Sequence, residues 1–431
     1  MNEGGSAVNT VTSLSIEELK QLQQQLQKEY EQYKMQNLSL DMSRGKPASS
    51  QLDITNDMFD IKVDYLSKEG IDARNYGVLD GLLEVKQLFS DLLTIPVEQL
   101  IIGGNSSLNL MYDTIARCFL FGIGGHKPWS QCSHIKFLCP SPGYDRHFAI
   151  MEEFGVEMIP IEMKEDGPDM DMVEALVAND DTVKGIWCVP LYSNPQGVCY
   201  SKETVRRLAK MKTAAPDFRI MWDNAYGVHH IYEEHELEDI LVACQEEGND
   251  DRVFYFFSTS KITFPGAGVA LFASSVNNIQ ETKKHMGVQT IGHDKLNQLR
   301  TLQFFKNAEG IKRHMKLLAD QLRPKFDIVL NVLEEQLSGS GLIQFTKPDG
   351  GYFVSVNTYE GCAKATVALA KEAGVVLTNA GATYPHGIDP KDQNIRIAPS
   401  YPTCEELEQA MNLFCLCVKL AGVNRLLEKE K

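Results

Sequence analysis

Long apolar runs are missing from this sequence. No stretch approaches the roughly twenty apolar residues needed to cross a bilayer, and no basic region followed by an apolar segment opens the chain. A membrane span and a secretory signal are therefore not expected, and a soluble cytoplasmic protein is. Basic charge is also scarce, with 42 Lys and Arg against 58 Asp and Glu and a formal net charge of −16. That balance disfavours non-specific binding to nucleic acid or anionic membranes, while leaving room for local basic pockets that take small anions. The ten cysteines form no CxxC motif and no paired framework; Cys139 and Cys188 lie inside apolar runs, and Cys415 and Cys417 in an apolar helical stretch, so all read as reduced packing residues. His229, His230 and His235 cluster without a ligand set, and no metal is expected there. No internal repeat is evident. What remains is an ordinary globular composition, 43% hydrophobic and 23% charged over 431 residues, enough for about two domains.

Within that composition one residue stands out. Lys261 ends the run Val253-Phe254-Tyr255-Phe256-Phe257-Ser258-Thr259-Ser260-Lys261, a cation closing an apolar strand-like segment among small hydroxyls. An amine held partly desolvated has a lowered pKa, so a useful fraction is neutral and able to attack a carbonyl. Taken alone, a lysine at a strand end is more often one that keeps its charge in water. Three other segments change the balance. Arg219-Ile220-Met221-Trp222-Asp223 is a short apolar run ending in an acid, with Tyr226 close behind. The run from Gly185 breaks at Tyr192-Ser193-Asn194-Pro195-Gln196-Gly197, where the proline keeps Asn194 out of helix and displays it on a loop. Ile135 to Tyr144 repeats the arrangement and ends on an aromatic ring.

Four strand-to-loop units thus present four functional groups. In a doubly wound sheet ligands collect outside the carboxyl ends of the strands, so Tyr144, Asn194, Asp223, Tyr226 and Lys261 are expected to converge on one crevice. The set matches the needs of pyridoxal phosphate. Asp223 suits the acid that keeps a pyridine nitrogen protonated, Asn194 and Tyr226 suit donors to the ring phenolate, and Tyr144 suits a ring-stacking aromatic.

Ser193-Asn194-Pro195-Gln196-Gly197, Asp223-Asn224-Ala225-Tyr226, Ser258-Thr259-Ser260-Lys261 and Asn394-Ile395-Arg396-Ile397-Ala398 together resemble the signature segments of fold type I aminotransferases of classes I and II, over about residues 70 to 400. Ser43-Arg44-Gly45-Lys46-Pro47, Tyr192 to Gly197 and Gly292 to Arg300 resemble the aspartate aminotransferase branch related to MocR-type proteins. The resemblance implies that Arg396 forks onto the substrate α-carboxylate, a role suited to a planar guanidinium. It implies that Asn105, Ser106 and Ser107, after the Gly103-Gly104 turn, cradle the cofactor phosphate at a helix N-terminus, with Ser258 and Ser260 nearby. It further implies that Tyr76 reaches the phosphate in a neighbouring subunit, making the active unit a homodimer. One departure stands out: relatives usually carry an arginine where this chain has Gly268, and Ser258, Ser260 or Lys295 are the candidates to compensate.

The fold this implies is α/β: a large domain with a mostly parallel seven-stranded sheet over residues 63–315, and a smaller α+β domain over 316–431. Residues 1–13 are expected to be a disordered tail, and 14–62 an N-terminal segment joining the small domain. Ser15-Ile16-Glu17-Glu18 reads as a capping box opening a Gln- and Glu-rich helix to about residue 36. The activity implied is transamination between an L-amino acid and a 2-oxo acid, with Lys261 as both anchor and base. The favoured pair is aspartate and 2-oxoglutarate, with Arg44, Gly45 and Lys46 as candidates for binding a distal carboxylate. Alanine, 2-aminoadipate or an aromatic amino acid would reuse the same core site, and a lyase or decarboxylase shares the fold. A sensor domain of a transcription regulator is the rival of another class; the roughly sixty residues before the large domain leave no room for the basic winged-helix module such proteins carry.

Overall fold

The computed structural model describes residues 10–429. Its centre is a sheet of eight strands: β1 (Leu100–Ile102), β2 (Lys136–Ser141), β3 (Glu157–Lys164), β4 (Gly167–Pro168), β5 (Val183–Cys188), β6 (Arg219–Asp223), β7 (Val253–Ser258) and β8 (Ala270–Ala273). Their spatial order is β1-β8-β7-β6-β5-β2-β3-β4. The run from β7 through β6, β5 and β2 to β3 is parallel, while β1, β8 and β4 pair antiparallel. The sheet has one strand more than the expected seven. Gly167–Pro168 is only two residues long, pinned to the end of β3, and no apolar run marks it in the sequence.

Every residue of β5, β6 and β7 is buried, because helices cover both faces of the sheet. Alternate side chains sort into two cores. Leu138, Ile186, Ile220, Trp222, Tyr255 and Phe257 point to one, and Phe137, Trp187, Met221, Phe254 and Phe256 to the other. The register aligns Cys188 with Trp222 and Asp223 with Phe256, so the parallel strands finish along one edge. That edge is where the polar loops begin.

A third core holds the remainder. The helix Ala308–Leu337 links the bodies: Ile311, Met315 and Leu318 pack on the sheet, and Leu322, Phe326, Val329, Leu333 and Leu337 pack in the third core. The antiparallel strands β9 (Ile343–Phe345), β10 (Val354–Thr358) and β11 (Asn394–Ile397) form its sheet. The helix Ile16–Lys34 contributes Leu19, Leu26 and Tyr30, and its capping box is formed as Ser15 and Glu18 predict. This helix ends two residues before the expected boundary. Ile54 packs instead on the sheet's core, so the segment 14–62 serves both bodies. Of the tail, residues 1–9 lie outside the described residues, whereas Val11–Ser13 make a 3-10 turn with the Val11 N–H donating to the Ser340 carbonyl at 2.9 Å.

The last helix, Cys404–Lys429, is long and apolar enough to span a membrane by length and composition, contrary to the expectation. Most of its apolar stretch is inside the protein. Leu407, Met411, Phe414, Cys415, Cys417 and Val418 are buried against the long helix and the N-terminal one, so its hydrophobicity is accounted for by packing. All ten cysteines are free.

The third core makes a direct test of this packing possible. Leu333 is fully buried in it, and Leu333→Ala is expected to lower the unfolding free energy by about 2–5 kcal/mol. Urea denaturation followed by circular dichroism measures it; a loss within error of zero would mean the core is not packed as described.

Candidate active site

At the carboxyl edge of the sheet lies a cavity of about 160 Å³, lined by Ser106, Ser107, Tyr144, Asn194, Asp223, Tyr226, Ser258, Ser260 and Lys261 among others. Residues from five separated segments meet there because four parallel strands end together and the helix Ser107–Phe121 points its N-terminus at the same place. A larger cavity, about 540 Å³, opens at the opposite edge near the starts of β6 and β7. We place the chemistry in the smaller one, because its lining combines an amine, a buried carboxylate and hydroxyl donors.

Asp223 is 2% exposed at the end of β6. Its Oδ2 accepts a hydrogen bond from His147 Nε2 at 2.9 Å, whereas Oδ1 has no partner among the described residues. A buried carboxylate oxygen left unpartnered is costly, and a protonated ring nitrogen in the cavity would satisfy it. His147 was not anticipated from the sequence. It projects from the helix Asp145–Glu153, and its ring stacks on Trp187 with centroids 4.1 Å apart and planes 5° from parallel. Tyr144 caps that helix, sets its ring edge-on to His147 at 4.9 Å, and burial pushes its phenol up to about 12, with Asp223 adding to the effect.

Lys261 follows β7. Its side chain is half-buried and faces the cavity. Burial therefore lowers its pKa from the ordinary 10.5; Asp223 opposes this shift and Arg396 reinforces it. The Nζ atom lies 5.2 Å from the ring centre of Tyr226 and 5.9 Å from that of Tyr352, an aromatic box for the amine. Behind it His229 is buried with neither ring nitrogen partnered among the described residues, and burial, helped by Lys261, holds its imidazole down to about 3. It stays neutral at every working pH.

Arg396, 7% exposed on β11, adjoins the cavity through Asn194. Its Nη1 donates to Asn194 Oδ1 and to Asp145 Oδ1, each at 3.1 Å, and its Nε has no partner among the described residues. The guanidinium lies 4.7 Å over the ring of Phe353. Gly45 meets the tip of the same ring, where an added Cβ would fall 2.4 Å from Cζ, so a side chain there would force the ring to shift.

At the opposite end of the cavity, Ser106 caps the helix Ser107–Phe121 without a side-chain bond, which leaves the first N–H groups of that helix open to an anion. The Ser258 hydroxyl donates to Ser260 Oγ at 3.1 Å, and Ser260 in turn to the Asn105 carbonyl at 3.3 Å.

Other expected positions are not brought in. Asn105 turns its amide to the carbonyls of Pro265 and Gly266 and is exposed. Lys295 is buried with Nζ on the Gly77 carbonyl at 3.0 Å, spent on a backbone contact and unavailable at the cavity. Tyr76 is 83% exposed on the surface of this chain. Arg44 is exposed and Lys46 stacks its amine 3.8 Å over the ring of Tyr401, so neither lines the cavity. Among the described residues, Glu233, His235 and Asp349 could bring ligand atoms within 4.8 Å of one another, but His235 already bonds Asp349 at 2.7 Å.

The orphaned Asp223 oxygen, the open helix N-terminus, the hydroxyls and the amine fit pyridoxal phosphate as a donor set. Their electrostatics yield a signed prediction. Asp223 raises the Lys261 pKa, so Asp223→Asn is expected to lower it further and to move the pH midpoint of Lys261 modification by trinitrobenzenesulfonate, in cofactor-free protein, to lower pH. An unmoved or raised midpoint would show that the two groups are not coupled.

Residues 14–430 match the family model described as aspartate amino-transferase. The aspartate aminotransferase of Corynebacterium glutamicum is 46% identical over 401 residues, covering 92% of this chain and 93% of that protein. The crystal structure of an aspartate transaminase from the same organism superimposes with a TM-score of 0.95 at 44% identity, covering 97% of this chain and 99% of that one. An α-aminoadipate aminotransferase from Thermus thermophilus, at 19% identity and a TM-score of 0.73 over 90% of this chain and 93% of that one, shares the fold. With a fold type I architecture, a matched family model along nearly its whole length and relatives of this identity, the chain belongs to the aspartate amino-transferase family.

Proposed function

We propose that this aminotransferase moves an amino group from L-aspartate to 2-oxoglutarate, using pyridoxal 5'-phosphate held in the cavity at the sheet's carboxyl edge. One observation carries the reading. A half-buried amine, Lys261, with its pKa lowered by burial, shares a small cavity with a buried carboxylate, one oxygen of which has no partner among the described residues. When bound, the cofactor supplies an aldehyde and a protonated ring able to take up electrons from the substrate α-carbon. Asp223 would hold the ring nitrogen, with His147 fixing the carboxylate from behind. Ser106, Ser107, Ser258, Ser260 and the open helix N-terminus would hold the phosphate. Asn194 and Tyr226 would donate to the ring oxygen, and Tyr144 would cover the ring face.

Lys261 is the anchor and then the base. Its lowered pKa keeps a fraction of the amine neutral, so it can take the proton from the substrate α-carbon and return it nearby. Arg396 binds the α-carboxylate and sets the direction of the α C–H bond. Asn194 and Phe353 hold the guanidinium in place, and Gly45 lets Phe353 approach. The choice of aspartate is supported by the named relatives; the candidate distal-carboxylate role of Arg44 and Lys46 is not favoured by their positions. The acidic balance and ten free cysteines support a cytoplasmic location. The exposed Tyr76 supports a homodimer in which it reaches the partner's cavity.

Two measurements test this. Cofactor-loaded protein given L-aspartate without an oxo acid is expected to change its absorbance spectrum, and 2-oxoglutarate to reverse the change. A change with another amino acid alone would keep transamination and remove aspartate. Lys261→Ala is expected to lose about 10²–10⁴-fold in turnover, the range for a positioned general base. Sedimentation of the loaded protein as a monomer would remove the role given to Tyr76.

A further inference from the structure

Asp145 offers the substrate-binding arginine a carboxylate from the protein itself. It is the first residue of the helix Asp145–Glu153, and its Oδ1 lies 3.1 Å from Arg396 Nη1. The two sides of this pair differ in burial: the Arg396 side chain is 8% exposed and that of Asp145 37%. A single oxygen makes the contact, at a nitrogen already shared with Asn194, while Arg396 Nε has no partner among the described residues. A guanidinium can accept a bidentate carboxylate along a paired edge, and that stronger arrangement is not taken up by Asp145. Nothing therefore locks Asp145 in place. When it leaves it stays at the N-terminal turn of a nine-residue helix, where the helix dipole favours an acid, and its side chain reaches water without crossing the core.

We propose that Asp145 is a displaceable stand-in for the substrate α-carboxylate, a specificity-determining residue that neutralises Arg396 between turnovers and must yield before substrate binds. The proposal rests on the reading of Arg396 as the α-carboxylate site. Its consequence is a competition. An incoming carboxylate gains its forked contact with Arg396 but loses what Asp145 had, so binding is weaker than Arg396 alone would give, and weak or poorly fitting anions are turned away. Asn194 holds Nη1 in both states and keeps the guanidinium aimed while its anion changes.

Calorimetric titration of the cofactor-loaded protein with succinate tests this directly. Asp145→Asn keeps the shape and a hydrogen-bonding oxygen while removing the charge; it is expected to tighten succinate about three- to tenfold, as loss of a partly exposed ion pair allows. Asp145→Glu, which restores the charge, is expected to bind succinate as the unaltered protein does. Succinate binding to Asp145→Asn that is unchanged or weaker overturns the proposal, the weaker result assigning Asp145 to holding Arg396 in position. Arg396→Gln separates the two levels of the argument. If it abolishes succinate binding while Asp145→Asn has no effect, only the stand-in role fails; if Arg396→Gln binds succinate normally, the α-carboxylate assignment fails and the stand-in role with it.

Discussion

Everything at this site depends on setting one half-buried amine beside one buried carboxylate without letting them neutralise each other by contact. Asp223 ends and Lys261 follows neighbouring strands buried on both faces, so packing that the sheet already needs takes the carboxylate out of water and half-buries the amine. In such surroundings the charged form of the amine is disfavoured, and the field of the carboxylate acts strongly on it. Asp223 holds the lysine's pKa up while burial and Arg396 hold it down. The amine's basicity is therefore set by the spacing of strand ends, which the hydrogen-bonded register makes rigid.

Around that pair the supporting residues act mainly by orientation. His147 reaches one oxygen of Asp223 and is itself held flat against Trp187, so the carboxylate has one fixed contact and one oxygen free. On the other body the same logic recurs with different chemistry. Phe353 touches both Gly45 and the Arg396 guanidinium, and Asn194 accepts from one of the guanidinium nitrogens. Residues from the N-terminal segment, the sheet's loops and the third core thus meet at one arginine. The long helix Ala308–Leu337 packs in the cores on both sides of this junction.

Much of this could be read from the chain alone, for a physical reason. Parallel strands buried on both faces appear as short apolar runs, and their functional residues come at the point where the run stops; Asp223, Lys261, Asn194 and Tyr144 were legible in that way. His147 was not, because its partner lies 76 residues away and a single histidine in a helix carries no local mark. The available signal was indirect: a carboxylate at the end of a buried strand needs a donor. Asp145 and Arg396 are 251 residues apart, and only the folded chain joins them. Asn105 and Lys295 failed in the opposite direction. Their chemistry suited an anion, but each was already engaged by backbone carbonyls. The extra strand escaped notice because two residues hold no pattern.

The absence of an arginine at Gly268 shows how local packing decides what chemistry a position can hold. A Cβ there would lie 3.1 Å from Thr259 Oγ1, tighter than most side chains accept, and in ordinary contact, 3.4 Å, with the carbonyls of Asn105 and Phe264. The amide of Asn297 donates to the carbonyls of Ala267 and Gly268, both at 2.9 Å, and Arg300 braces Asn297 from behind at 2.6 Å. The loop is thus pinned by neutral hydrogen bonds, with Arg300 donating to Asn297 behind it. An anion seated beside it meets hydroxyls and helix N–H groups in place of a fixed guanidinium. Such donors act only at short range and in one geometry, so the hold on a phosphate depends on how rigidly Ser106, Ser258 and Ser260 are kept, and much less on charge attracting it from a distance. In a chain that carries sixteen more acids than bases, that arrangement places the burden of anion binding on packing.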